Sequence, residues 1–242
     1  MNKCAIITGA SSKIGQQTAI LFAKNGYDLV LHYHKDETTI QNLKKEIEKK
    51  YKTSILIVQA DLNKEEQITS LCNTIASKFP QIDVIVHNAA IALDSILEMK
   101  TEKTFKETFQ VNTIAPFLIT KHLMKFLKKD ASIIFVSSTN AIDTYYQESI
   151  EYDASKAALI SLAHNLATSL APIRVNTIAP GWVDTKMNET LTDEFKQKEI
   201  NKILLKRFAK PEEIAKVIYF IASEATYVND SIIRVDGGVN RC

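Results

Sequence analysis

Short runs of β-branched and other apolar residues alternate along this 242-residue chain with longer amphipathic segments, and that alternation leaves few ways to fold it. The runs at 4–8, 29–33, 54–59, 84–87, 132–136, 174–178 and 232–235 read as buried strands. Between them, helical patterns cover 14–25, 38–50, 65–79, 152–170, 192–204 and 211–222. Gly26 and Pro80 are helix stops, and Ile40, Leu43 and Ile47 fall on one helical face. A long helical region is predicted from about 101 to 129, bent near Pro116. Apolar strands joined by helical crossovers imply a parallel α/β sheet of about seven strands, doubly wound, with helices on both faces. One domain over 1–242 accommodates the pattern.

Composition excludes more than it suggests. The formal charge of +2 gives no strong field, so nucleic acid is not an expected partner. No stretch approaches eighteen apolar residues, so no membrane partner or span is expected. The N-terminal run is too short for a signal peptide and leads directly into a glycine turn. Cys4, Cys72 and Cys242 have no metal-ligand spacing; reduced thiols in a cytoplasmic protein, and no metal site, are the expectation.

In such a sheet, ligands bind beyond the carboxyl ends of the strands. Gly9, Asn88, Ser138 and Gly181 each follow a predicted strand. The turn Thr8-Gly9-Ala10-Ser11-Ser12-Lys13-Ile14-Gly15 precedes a helix, whose N-terminal N–H groups suit a pyrophosphate. The spacing G-x-G-x-x-G is absent, so the turn alone is weak evidence. Tyr152 and Lys156, four residues apart, share a helical face. A tyrosine of pKa about 10 shuttles protons slowly near neutrality, and a nearby ammonium favours its phenolate. Tyr152 is therefore a candidate general acid tuned by Lys156, and Ser137, Ser138 or Thr139 at the end of the fifth strand is a candidate to hydrogen-bond a substrate oxygen.

The ordered set Thr8-Gly9-x-x-x-Lys13-x-Gly15, Asn88-Ala89-Ala90, Asn112, Ser138, Tyr152-x-x-x-Lys156 and Pro180-Gly181 resembles the short-chain dehydrogenase/reductase family across essentially the whole chain. The stretch from Leu191 to Asp236-Gly237-Gly238 is similar to bacterial 3-oxoacyl-acyl-carrier-protein reductases. The resemblance implies a Rossmann-type fold and NADPH-dependent reduction of a ketone to a secondary alcohol. It makes Asn112, Ser138, Tyr152 and Lys156 catalytic, with Asn112 holding a water that links Lys156 to solvent. Lys156 would also bind the nicotinamide ribose. Gly9, Ser11, Ser12, Lys13, Ile14 and Gly15 would surround the pyrophosphate side of the cofactor, with Asn88 and Ala89 beside it. Asp61 and Leu62 would meet the adenine. Pro180, Gly181, Val183 and Thr185 would wrap the nicotinamide carboxamide, and residues 186–207 would form a flap over the substrate.

Two departures stand out: Lys13 replaces a glycine of the family's turn, and His87-Asn88-Ala89-Ala90 replaces Asn-Asn-Ala-Gly. Strand two ends in His32-Tyr33-His34-Lys35, with no acid at its tip to bind the NAD ribose. Lys13, His34 and Lys35 then favour the 2′-phosphate of NADPH. That arrangement is similar to pteridine reductases, the alternative activity. Against it, Ile91 stands where an aromatic could sandwich a pterin, and Ser138 where those enzymes carry an acid. A catalytically silent NADPH-binding regulator is a reading of another class, disfavoured by the complete Asn-Ser-Tyr-Lys set. Tyr145, Tyr146 and Gln147 either line the substrate pocket or cover the sheet edge. Lys121, Lys125, Lys128 and Lys129, expected on one helix, are either a docking face for an acidic acyl carrier protein or a solvated surface. The resemblance also implies a homotetramer or homodimer.

Overall fold

The computed structural model describes residues 2–185, 188 and 191–239. Seven parallel strands form one sheet in the order β3-β2-β1-β4-β5-β6-β7. They are β1 (Lys3–Ile7), β2 (Tyr27–Tyr33), β3 (Ile55–Gln59), β4 (Ile82–His87), β5 (Leu127–Val136), β6 (Arg174–Pro180) and β7 (Ile232–Val235). The order reverses between β1 and β4, which opens a crevice at their carboxyl ends.

Side-chain alternation splits the core in two. Along β1, Cys4 and Ile6 face one layer while Ala5 and Ile7 face the other. The first layer packs α3 (Glu65–Lys78), α5 (Ala115–Leu123) and α6 (Ile150–Ser169), through Ile68, Ile119 and Leu159 among others. It also carries α4 (Glu102–Phe109), which runs into α5. The second packs α1 (Lys13–Lys24), α2 (Glu37–Lys50) and α8 (Pro211–Ser223), through Phe22, Ile40 and Ile218. Phe22 meets Tyr27 and Tyr219 edge-on at centroid distances of 4.9 and 5.2 Å. A last helix, α7 (Asp193–Lys202), is the described helical part of the predicted flap; residues 186, 187, 189 and 190 of that segment lie outside the described residues.

The long helix predicted over 101–129 is a correction. Its helical part is α4, a π-turn at Gln110–Ile114, α5 and a 3₁₀ turn at Met124–Phe126; β5 starts at Leu127, five residues before the predicted strand. Lysines are good helix formers, but here strand pairing overrides propensity: Leu127 lies opposite Ile82 on β4. Asp83 on β4 accepts from Lys128 Nζ and from the Cys4 N–H, each at 2.8 Å, and so ties three neighbouring strands together. Lys121 therefore sits on a helix, whereas Lys128 and Lys129 sit on a strand, and the single basic helix face does not exist. Lys128→Ala should lower stability by about 1 kcal/mol, since Asp83 keeps its Cys4 bond and the pair is partly exposed. Lys121→Ala should stay within about 0.5 kcal/mol of the parent. Urea unfolding of both variants checks this, and equal midpoints would remove the clamp from the account.

Candidate active site

The cleft at the switch point has a volume of about 630 Å³ and runs from the β2 tip to the loop after β6. Its floor is the turn between β1 and α1. Thr8 Oγ1 accepts from the N–H groups of Asn88 (3.0 Å) and Ala89 (3.1 Å). In return Asn88 Nδ2 donates to the carbonyls of Thr8 and Gly9, both at 3.0 Å, and lies 3.1 Å from Ser12 Oγ. Asn88 is thus chiefly a brace for the turn. Gly9 has φ +63, and a Cβ there would stand 2.8 Å from Ala89 Cα. A Cβ on Gly15 would fall on the Gly9 carbonyl oxygen and 2.8 Å from Ala10 Cα. Both positions need glycine, which leaves bare backbone and the α1 N-terminus facing the cleft. These residues fit a dinucleotide pyrophosphate.

His32 completes the brace, and the sequence reading assigned it no role. Its Nδ1 accepts from the Gly9 N–H at 3.1 Å, and its Nε2 lies 3.0 Å from the Ala60 carbonyl. The carbonyl needs a donor, so Nε2 carries the proton and the ring is neutral. Burial lowers its pKa to about 4. A histidine inside a buried strand was a visible sign of a polar partner, but the partner came from another part of the chain.

Ser11, Ser12, Lys13 and Ile14 line the cleft with Gly9. Lys13 Nζ lies 3.9 Å from Asp184 on the loop after β6, an ion pair largely in solvent. At the β2 end are His34, Lys35, Asp61 and Leu62. His34 Nε2 lies 3.8 Å from Asp61. Burial works to raise Asp61, but hydrogen bonding from Asn63 and the neighbouring His34 hold it below the usual carboxylate range. Asp36, beyond the strand tip, also lines the cleft, but its carboxylate caps α2 by accepting from Thr39.

At the opposite end the cleft brings together Ser138, Tyr152 and Lys156 with Pro180, Gly181, Val183 and Thr185. Ser138 ends the segment after β5, and Tyr152 and Lys156 lie in the first turns of α6. The Lys156 ammonium donates to the Val136 carbonyl at 2.8 Å and stands 5.6 Å from the Tyr152 ring centre. Burial lowers Lys156 to about 7. Burial raises Tyr152 to about 12; a hydrogen bond with Ser138 works the other way. The phenol is therefore protonated at neutral pH, the state a proton donor needs.

Asn112 lies behind this cleft. Its side chain exchanges two hydrogen bonds with the Ile91 main chain, each 2.9 Å, and donates to Ser155 Oγ at 3.0 Å. It sits in the π-turn, and Pro116, four residues on, has no N–H for its carbonyl. Tyr146 is clustered with Trp182 of the loop after β6 and with Phe195 of the flap region. Its hydroxyl donates to Glu199 at 2.7 Å and accepts from Trp182 Nε1 at 3.0 Å. Tyr145 is exposed. Among the described residues, no cluster of three or more His, Cys, Asp or Glu is placed to hold a metal, and no helix is long and apolar enough to cross a membrane.

His32 sets an acid response. Its pKa is depressed on folding, so its stabilising effect is full above about 6.5 and is lost as pH falls from there to about 4. His87, buried and lowered to about 3, extends the loss further. His32→Asn keeps an acceptor for Gly9 but does not titrate. Urea unfolding between about pH 7 and 4.5 should show a shallower fall for the variant. Parallel curves would acquit His32.

Comparison with known proteins agrees with this geometry. Residues 9–240 match the enoyl-(acyl carrier protein) reductase family. The 3-oxoacyl-acyl-carrier-protein reductase FabG of Thermotoga maritima is 33% identical over 244 residues, covering 98% of this chain and 97% of the relative. The uncharacterized oxidoreductase YmfI of Bacillus subtilis is 33% identical over 243 residues, covering 98% and 99%. A short chain dehydrogenase from Burkholderia cenocepacia, solved in complex with NADP, superposes with a TM-score of 0.92 at 27% identity, covering 98% and 97%. A blue fluorescent protein from a metagenomic library, solved with NADPH, gives 0.92 at 27% identity with the same coverage. A seven-stranded parallel sheet, a glycine turn at its switch point and a Ser-Tyr-Lys cluster across the cleft place this chain in the short-chain dehydrogenase/reductase family of oxidoreductases.

Proposed function

We propose that the protein uses NADPH to reduce a ketone to a secondary alcohol, and that its substrate is a 3-oxoacyl thioester borne by an acyl carrier protein. The observation that carries the reading is the convergence of Ser138, Tyr152 and Lys156 on the cleft whose other half is a dinucleotide cradle. Support for the substrate class comes from the acyl-carrier-protein reductases among the relatives. Support for the phosphorylated cofactor comes from Lys35 and His34 at the β2 tip and from neighbours solved with NADP and NADPH.

The bound nicotinamide supplies a hydride to the carbonyl carbon. Ser138 holds the carbonyl oxygen, and Tyr152 gives that oxygen its phenolic proton. Lys156, desolvated, stabilises the phenolate left behind and helps return its proton, while also holding the nicotinamide ribose. Asn112 holds the water that connects Lys156 to solvent. Pro180, Gly181, Val183 and Thr185 hold the carboxamide. The described part of the flap, residues 191–207 with α7, closes over the substrate.

Apolar side chains exposed at Ile114, Phe117 and Met124, and again at Phe220, Tyr227 and Ile232, supply two separate faces for a homotetramer, or one each for a homodimer. The burial of Cys4 and Cys72 as free thiols suits a cytoplasmic protein.

The test is NADPH oxidation with acetoacetyl thioester and, in parallel, with dihydropterin, each repeated with NADH. Turnover of the thioester with NADPH is expected. Turnover of the pterin alone would replace the substrate, and none on a broad carbonyl panel would favour a binding protein without activity. Tyr152→Phe should lose at least about a hundredfold in turnover and keep NADPH binding. Lys35→Ala should weaken NADPH about tenfold and leave NADH unchanged; equal effects on both would move the 2′-phosphate elsewhere.

A further inference from the structure

Ser138 is held from outside the Ser-Tyr-Lys cluster. Asn140, two residues on, contacts it twice: its N–H donates to Ser138 Oγ at 3.2 Å, and its Oδ1 accepts from the Ser138 hydroxyl at 3.3 Å. An amide has two different ends, and something must decide which one faces the serine. Asp153 decides it. Asn140 Nδ2 donates to Asp153 Oδ1 at 2.7 Å, a charge-assisted bond shorter than either contact to the serine. A carboxylate only accepts, so the NH₂ end turns to Asp153 and the carbonyl end to Ser138. Asp153 is 8% exposed and its other oxygen lies 3.5 Å from the Tyr146 N–H, so it is anchored to the same loop.

We infer that Asn140 and Asp153 are a positioning pair for the catalytic serine, an inference that rests on the reductase reading above. With the amide so oriented, the serine proton has a nearby acceptor and Oγ keeps the main-chain donor. The hydroxyl is held beside Tyr152 in one rotamer, and it redirects its proton to a carbonyl oxygen when substrate arrives. The main-chain N–H still donating to Oγ polarises the O–H and strengthens it as a donor. Without Asp153, the amide is free to turn, and its NH₂ end then competes with substrate for the serine oxygen. Neither residue needs to touch the substrate; both act through Ser138.

The experiment is a double-mutant cycle on NADPH-dependent turnover with the carbonyl that the unaltered protein reduces fastest. Asn140→Ala and Asp153→Ala should each lower kcat about tenfold, with KM and NADPH affinity within about twofold of the parent. Asp153→Asn, which still offers an amide oxygen to Asn140 Nδ2, should recover most of the loss. In a Ser138→Ala background neither alanine substitution should lower kcat by more than about twofold. Losses that persist undiminished in that background overturn the inference, since the pair would then act independently of the serine. A parallel loss of NADPH affinity also overturns it, because the pair would then merely hold the fold. Failure of the unaltered protein to oxidise NADPH with any carbonyl is a different outcome: it overturns the reductase reading, and the inference falls with it.

Discussion

The reciprocal bonding of Thr8 and Asn88 is the interaction on which the cleft depends. Two strands adjacent in space but far apart in sequence end side by side at the switch point, and each leaves polar main-chain groups without a ladder partner. The hydroxyl of Thr8 takes two N–H groups from the β4 end, and the amide of Asn88 takes two carbonyls from the β1 end. Each bond is buried or nearly so, and leaving one partner unsatisfied costs about 1–3 kcal/mol. His32 adds a third strand by accepting the Gly9 N–H. The turn is therefore fixed in a shape that presents bare backbone before any ligand arrives, which is preorganisation in its plainest sense.

Burial then sets the chemistry at the other end of the cleft. Desolvation disfavours charge on Tyr152 and on Lys156 alike, raising one to about 12 and lowering the other to about 7. The two shifts oppose the ion pair that a lysine beside a tyrosine suggests from sequence alone. They leave a protonated phenol next to a lysine whose charge changes near neutrality, a pair suited to giving a proton and then recovering it. Sequence spacing identified the partners, but only burial determines their resting protonation.

The legible part of the fold was what hydrophobic period encodes. All seven strands and the main helices lie within a few residues of their expected places, because two-residue and 3.6-residue periods survive in any packed layer. The break between α5 and β5 was not legible. Met124 to Asp130 carries three lysines and reads as helix by propensity; the pull toward strand comes from Ile82 and Asp83, more than forty residues earlier. The π-turn at Asn112 was hidden for a similar reason, since it depends on which carbonyls meet Pro116 and which side chains meet Ile91. In the site, the residues singled out by the ordered motif converge, except that Thr8, Gly15 and Asn112 stand behind the cleft surface. The braces His32, Asn140 and Asp153 carried no motif, and their roles exist only through partners supplied by folding.

The same distinction governs the contacts of α7. Glu199 on α7 is 3% exposed, and burial works to raise its pKa. Its bonds to Lys202 at 2.6 Å and to the Tyr146 hydroxyl at 2.7 Å win, and the group is held below the ordinary carboxylate range. A carboxylate kept charged in a buried position is stable only while those donors stay in place. Tyr146 belongs to the loop that follows Ser138, so α7 is fastened to the segment that carries Ser138. Displacing α7 exposes Glu199, separates Trp182 from Phe195 and removes a bond from Tyr146 in one movement. Glu199, Tyr146, Asp153, Asn140 and Ser138 are thus joined in one connected set of bonds, and the placement of α7 is coupled through it to the placement of Ser138.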